Sequence, residues 1–387
     1  MAGIEAVAGG KASALQDLTN LPRRGENPYV RAWKEGGGKV FGTVCCYVPE
    51  EVLHANPADI LPIRLGAAGC GGTSDADVCM HKFTCSFSRS LLELGLSGEY
   101  GFLDGVVMSN GCDQIRRTYE YWRDEVKPQF MTMVAVPHSV EGDSRAEWYL
   151  DEVRKLIDDV GVRYGSLPSE ESLRKSVKTY NRYRELMLEL YRLRSEPDPK
   201  LTGSEAMKIT QAGFAMPKDV FNGKLAEAIG EIRRRPGIKD CRARIMLAGS
   251  YMDDTFLIDI IESTGAVVVT DNLCTGRRYF EGMVDEDAEP VRAIAMRYFR
   301  KMSCPRMVGS FPERVAFTRK LAEDARVDGV IFQRLPFCDN HSVENLMESP
   351  VLQKAGFPTI DLEREYLAAD EGRLKTRVQA FLEKIGK

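Results

Sequence analysis

The chain lacks most of the short marks that would announce its chemistry. Among 387 residues there are only four histidines, and no Cys-x-x-Cys pair occurs. The usual signature of a zinc site is therefore missing. The close cysteine runs of ferredoxin-type proteins are missing too. Apolar runs such as "GAVVVT" and "ARIMLAG" fall far short of the roughly twenty residues that cross a bilayer. The start, "MAGIEAVAGGKASALQDL", has neither the basic opening nor the continuous apolar stretch of a signal peptide, so a cytoplasmic location is expected. A net charge of −4 leaves no electrostatic footprint for nucleic acid or an anionic membrane. The basic runs "EIRRRPG" and "SVKTYNRYREL" are interleaved with acids and read as solvated helix faces.

What the chain does have is cysteine, ten in all. A reducing compartment disfavours structural disulfides, so these thiols are expected as metal ligands, catalytic groups or small buried hydrophobes. The length suggests two or three domains. Strand-like runs alternate with helical patterns from residue 38 to 160, which argues for a doubly wound parallel sheet in an α/β domain. In this domain "PEEVLHAN" opens a helix with Pro49 in its first turn, and "FTCSFSRSLLELGLSG" is a serine-capped helix ending at glycine. Residues 1–37 form an N-terminal extension. Residues 161–238 read as a helical connection, with apolar positions spaced by three and four. A second α/β domain follows over 239–387 and closes on the amphipathic helix "RLKTRVQAFLEKIG".

"FLDGVVMSNGCD" and "RVDGVIFQRLPFCD" share the order Asp-Gly-Val, apolar run, loop, Cys-Asp, as a distant duplication would leave. In a doubly wound sheet, ligands bind beyond the carboxyl ends of the strands. Cys45 and Cys46, Cys112, Cys274 and Cys338 all follow strand candidates at that rim. Cys85 precedes a helix and Cys304 lies between two. Cys45 and Cys46 alternate across a strand end, so at most one is expected to face the cleft. Cys241 reads as a bystander, and Cys70 and Cys79 as ordinary thiols or spare ligands. Single thiolates from separate loops suit an iron–sulfur cluster. A nucleophilic thiol near a helix start, Cys85 or Cys112, is the alternative, but it leaves the other cysteines idle. No catalytic residue is identified.

The stretches "GTVCCYVPEEVLHA", "FTCSFSRSLLELGLSGEYGFLDGVVMSNGCDQIRRTYEYW", "DNLCTGRRYF" and "VDGVIFQRLPFCDNHSVEN" resemble the 2-hydroxyacyl-CoA dehydratase and benzoyl-CoA reductase superfamily, which includes the double-cubane cluster proteins. The likeness runs from about residue 38 to 370. It implies two flavodoxin-like (Rossmann-like) domains with a helical insertion and an iron–sulfur cluster in the interdomain cleft. Cys85, Cys112 and Cys338 would be the shared ligands, leaving an iron without a protein ligand, open to substrate. Cys46, Cys274 and Cys304 match further cysteines of some branches. All six together imply a double-cubane 8Fe-9S group, and the first three alone a 4Fe-4S cluster. The resemblance further implies electrons from an ATP-hydrolysing iron–sulfur activator, itself a different protein because no Walker-type loop occurs here. It implies a homodimer or a heterodimer with a related subunit, and an acyl-CoA substrate in some branches. A radical 2-hydroxyacyl-CoA dehydratase subunit and a non-catalytic scaffold subunit are the competing expectations. Arg277 and Arg278 beside Cys274 either tune a cluster, meet an anionic ligand, or form surface ion pairs.

Overall fold

Among the described residues, mostly apolar runs become eight strands in two parallel sheets. The computed structural model describes residues 13–22, 25–367 and 369–387; most of the stretch read for a targeting signal lies outside them. The first sheet comprises β1 (Lys39–Val44), β2 (Ile60–Arg64), β3 (Gly105–Ser109) and β4 (Met131–Val134), in the order β2-β1-β3-β4. The second comprises β5 (Ala243–Gly249), β6 (Ala266–Asn272), β7 (Gly329–Arg334) and β8 (Thr359–Glu363), in the order β6-β5-β7-β8. The inner strands β1, β3, β5 and β7 are buried almost throughout, as expected of parallel sheets covered by helices on both faces. The two orders are the same, and both are flavodoxin-like, with ligand crevices expected where the order reverses.

The repeated Asp-Gly-Val has a shared physical cause. Asp104 Oδ2 accepts from the Val40 backbone N–H at 2.9 Å, and Asp328 Oδ2 from the Arg244 N–H at 2.8 Å. Each aspartate thus pins the start of the neighbouring central strand. Each following glycine lets an aromatic ring approach. A Cβ on Gly105 would meet the Phe41 ring at 2.6 Å, and one on Gly329 the Phe381 ring at 2.7 Å.

Between the sheets run four helices, Asp143–Tyr164, Glu170–Ser195, Gly203–Phe214 and Lys218–Arg233, which carry much of the largest hydrophobic core. Buried ion pairs tie the long Glu170–Ser195 helix to both halves. Arg184 pairs with Glu51 beyond β1, and Arg194 with Asp271 in β6 at 2.7 Å. These contacts set the loops after β1 and β6 against one another. Two expectations shift by one residue. Pro49 occupies the cap position of the helix Glu50–His54 rather than its first turn. The helix Ser86–Leu96 is capped by Cys85, not by a serine. Among the described residues no helix is long and apolar enough to cross a membrane.

Candidate metal centre

Three of the six predicted cysteines hold the same structural post. Cys85, Cys112 and Cys338 are the N-cap residues of the helices Ser86–Leu96, Asp113–Tyr121 and Asp339–Lys354. None closes a capping hydrogen bond with its side chain. The thiols instead face unpaired N–H groups of the first turn, where the helix dipole favours negative charge. Cys112 and Cys338 follow β3 and β7, the strands beside each point of order reversal.

Cys45 and Cys46 follow β1. The expectation that only one would face the cleft is overturned, for both line the same cavity. Cys45 has φ +82°, a left-handed conformation rare outside glycine, and this ends the alternation of side chains along the strand. Gly111 makes room: a Cβ there would stand 2.7 Å from Cys45 Sγ. Cys274 arrives from the loop after β6, and Cys304 from the loop after the helix Pro290–Arg300.

All seven of these cysteines line one cavity of about 190 Å³, together with Arg64, Tyr251 and His341. Cys70, Cys79 and Cys241 are not among its lining residues. Among the described residues no three His, Cys, Asp or Glu side chains converge closely enough to grip a single metal ion. A cluster takes one thiolate per iron and so spaces its ligands more widely.

By position the thiols divide into the three helix N-caps, Cys85, Cys112 and Cys338, and a second group of Cys46, Cys274 and Cys304. Across the cavity Cys304 also raises Cys112, and Cys274 raises Cys338. Burial pushes the Cys85 thiol up, and Cys338 and Cys112 push it further. Cys112 is raised to about 12, chiefly by burial, against the pull of the Ile115 and Gln114 N–H groups. In the second group burial raises Cys304, with Cys46 and Cys274 adding to it and Arg278 opposing. A hydrogen bond from Cys45, then the charges of Lys301 and Arg64, hold Cys46 well below the usual thiol range. The same bond leaves Cys45 well above it.

Cations crowd this second group. Lys301 Nζ donates to Cys46 Sγ at 3.0 Å. Arg64 Nη1 donates to the Cys274 carbonyl at 2.7 Å, and Nη2 lies 3.8 Å from its sulfur. The two neighbouring arginines divide as well. Arg277 makes an ion pair with Glu281 at 2.8 Å, whereas Arg278 is buried and faces Cys274, Cys304 and Cys46. Soft thiols, helix N-termini and buried cations all favour a bound group that is thiophilic and anionic, so the residues fit an iron–sulfur cluster.

A family model described as "2-hydroxyglutaryl-CoA dehydratase, D-component" matches residues 45–385. The chain belongs to this family. Within the family's wider circle, the chain is 30% identical to "Putative dehydratase subunit YjiM" of Escherichia coli (strain K12), covering 91% of this chain and 93% of that one. It is 26% identical to a benzoyl-CoA reductase subunit of Thauera aromatica, covering 84% of each. It is 23% identical to the beta subunit of (R)-2-hydroxyglutaryl-CoA dehydratase of Acidaminococcus fermentans, covering 91% and 94%. In this D-component family chain, sequence reasoning missed Arg64, Lys301 and His341. Arg64 alone had a readable signal, a charge at the rim end of an otherwise apolar strand. His341 sits near Cys338 in sequence but reaches the cavity only through folding, and Lys301 meets the cavity-lining Cys46 without lining the cavity itself.

Proposed function

We propose that this chain is the iron–sulfur reductase component of an enzyme in the dehydratase and benzoyl-CoA reductase superfamily, working in the cytoplasm. The observation that carries the reading is the convergence of six predicted thiols from both halves on one cavity, three of them helix N-caps and three beside buried cations. Cys85, Cys112 and Cys338 would hold one cubane, and Cys46, Cys274 and Cys304 its partner in a double-cubane group. When bound, such a group supplies low-potential one-electron reduction with electrons from an ATP-hydrolysing iron–sulfur activator protein. The chain's own residues supply anion stabilisation from three helix N-termini and three buried cations, and a largely apolar wall that excludes water. The substrate is a benzoyl-CoA-like thioester or a small molecule. Relatives that are themselves named as subunits of larger enzymes support assembly with a second copy or a related sister chain.

Iron and acid-labile sulfide per chain, on anaerobically purified protein, test the reading. About eight irons are expected of a double cubane, and about four would reduce the site to Cys85, Cys112 and Cys338. The second outcome favours a radical 2-hydroxyacyl-CoA dehydratase subunit, in which Cys274 and Cys304 are dispensable, and three relatives are named as acyl-CoA dehydratase subunits. Cys112→Ala and Cys338→Ala are each expected to abolish loading of the first group. A variant that keeps the full iron content would sink the assignment.

A further inference from the structure

Arg64, Arg278 and Lys301 are 8%, 3% and 6% exposed, and among the described residues none has a carboxylate within ion-pair distance. Their contacts are with neutral or sulfur groups. Lys301 Nζ reaches Cys46 Sγ and stands 4.4 Å from the centre of the Tyr47 ring. Arg64 lies among the rings of Phe214, Tyr251 and Tyr279 at 5.1, 5.8 and 5.3 Å. Arg278 Nη2 makes one long bond, 3.4 Å, to the Gly249 carbonyl. The Nε atoms of Arg64 and Arg278 are buried without a partner.

A buried cation is stable only against a compensating negative charge. The thiols face the three cations unequally: Cys46 lies near all three, Cys274 near Arg64 and Arg278, and Cys304 near Arg278, which also acts on the buried Glu348. The other three thiols have no such wall. Around Cys85, Cys112 and Cys338 the charged neighbours include one another, Cys274, Cys304 and the acids Asp113 and Asp339. Their favourable field comes from helix N-termini, each equivalent to roughly half an elementary charge. Three helix ends then amount to about one and a half charges, against three whole ones across the cavity, so the cations dominate.

An added electron is more stable beside fixed positive charge in a low-dielectric site. We infer that the Cys46, Cys274 and Cys304 half of the cavity holds the iron–sulfur group of higher reduction potential. Added electrons therefore collect on that side, while the Cys85, Cys112 and Cys338 half is the stronger reductant. This rests on the two-group reading proposed above. Lys301, Arg278 and Arg64 act on potential through the sulfur atoms and are positioning residues, not catalytic ones.

An EPR-monitored potentiometric titration of the full-length, iron-loaded protein tests it. Titanium(III) citrate is the reductant. Each titanium(III) gives up one electron to become titanium(IV), and each half takes up one, with no bond made or broken. Lys301→Met is expected to make the higher-potential couple about tenfold harder to reduce, about 59 mV for one electron, and to move the lower couple by less than threefold. Lys301→Arg, which keeps the charge, should hold the native potential. If Lys301→Met fails to load iron, Arg278→Met carries the same expectation. A shift of both couples together, a shift of the lower couple alone, or no shift in a fully loaded variant overturns the inference and leaves the two-group reading intact. A native protein with a single couple and about four irons removes that reading and the inference with it.

Discussion

Burial pushes the Glu348 carboxyl up to about 7, with Glu344 reinforcing the shift and the Thr318 hydroxyl, Arg278 and Arg314 opposing it. Its Oε1 has no partner, and it borders a polar pocket of about 20 Å³ shared with His341, Arg314 and Asn272. The folded protein thus keeps a proton that the unfolded chain releases above about pH 4.3. Between there and about pH 7 the folded state binds more protons, so this residue's contribution to stability falls as pH rises. Glu348→Gln removes the effect. Thermal unfolding at pH 5 and pH 8 should show little difference at the first, and at the second a variant more stable by about 1–3 kcal/mol. An equal shift at both values would mean that the carboxyl is not protonated in the native state. Cys45 teaches a different lesson at this scale. Strand alternation predicts one inward thiol from Cys45-Cys46, and a single left-handed residue turns both inward.

Among the elements, the short helix Glu50–His54 depends on a charge it buries. Glu51 accepts from Arg184 and, at 2.8 Å, from the Tyr298 hydroxyl, with both side chains of the ion pair almost fully enclosed. Arg184→Leu leaves that carboxylate without its cation and is expected to cost about 3–5 kcal/mol. A denaturant midpoint unchanged from native would refute it. Most of the described strands were legible from their apolar runs, because a strand covered on both faces must be apolar along its length, whereas the edge strand β8, Thr-Ile-Asp-Leu-Glu, alternates. Helix starts were less so. Serine outranks cysteine as a cap by local propensity, yet tertiary placement gives the cap positions of Ser86–Leu96, Asp113–Tyr121 and Asp339–Lys354 to Cys85, Cys112 and Cys338. The local rule favours hydrogen bonding within the chain, and these caps are left free for something outside it.

At the scale of the whole molecule, seven of the ten cysteines line one cavity built from residues of both halves. If six thiolates are taken by iron, at most four of the ten cysteines remain for alkylation in the native loaded protein. Iodoacetamide labelling read by intact mass should therefore stop at four adducts or fewer. Stripping iron with a chelator should raise the number, and it should lower the thermal midpoint because the bound group links loops from both sheets. A loaded protein that accepts more than four adducts would contradict a six-ligand site.

By itself, the sequence determined the two parallel α/β halves, the helices between them and the set of rim cysteines. Those follow from local periodicity and from the rule that ligands gather at strand ends. Only the tertiary structure decided that seven thiols share one cavity, that Arg278 is buried while Arg277 pairs with Glu281, and that Lys301 and Arg64 reach the sulfurs of Cys46 and Cys274. Which buried charge faces which sulfur depends on how distant loops are set against one another by the ion pairs of the Glu170–Ser195 helix, and no local pattern encodes that.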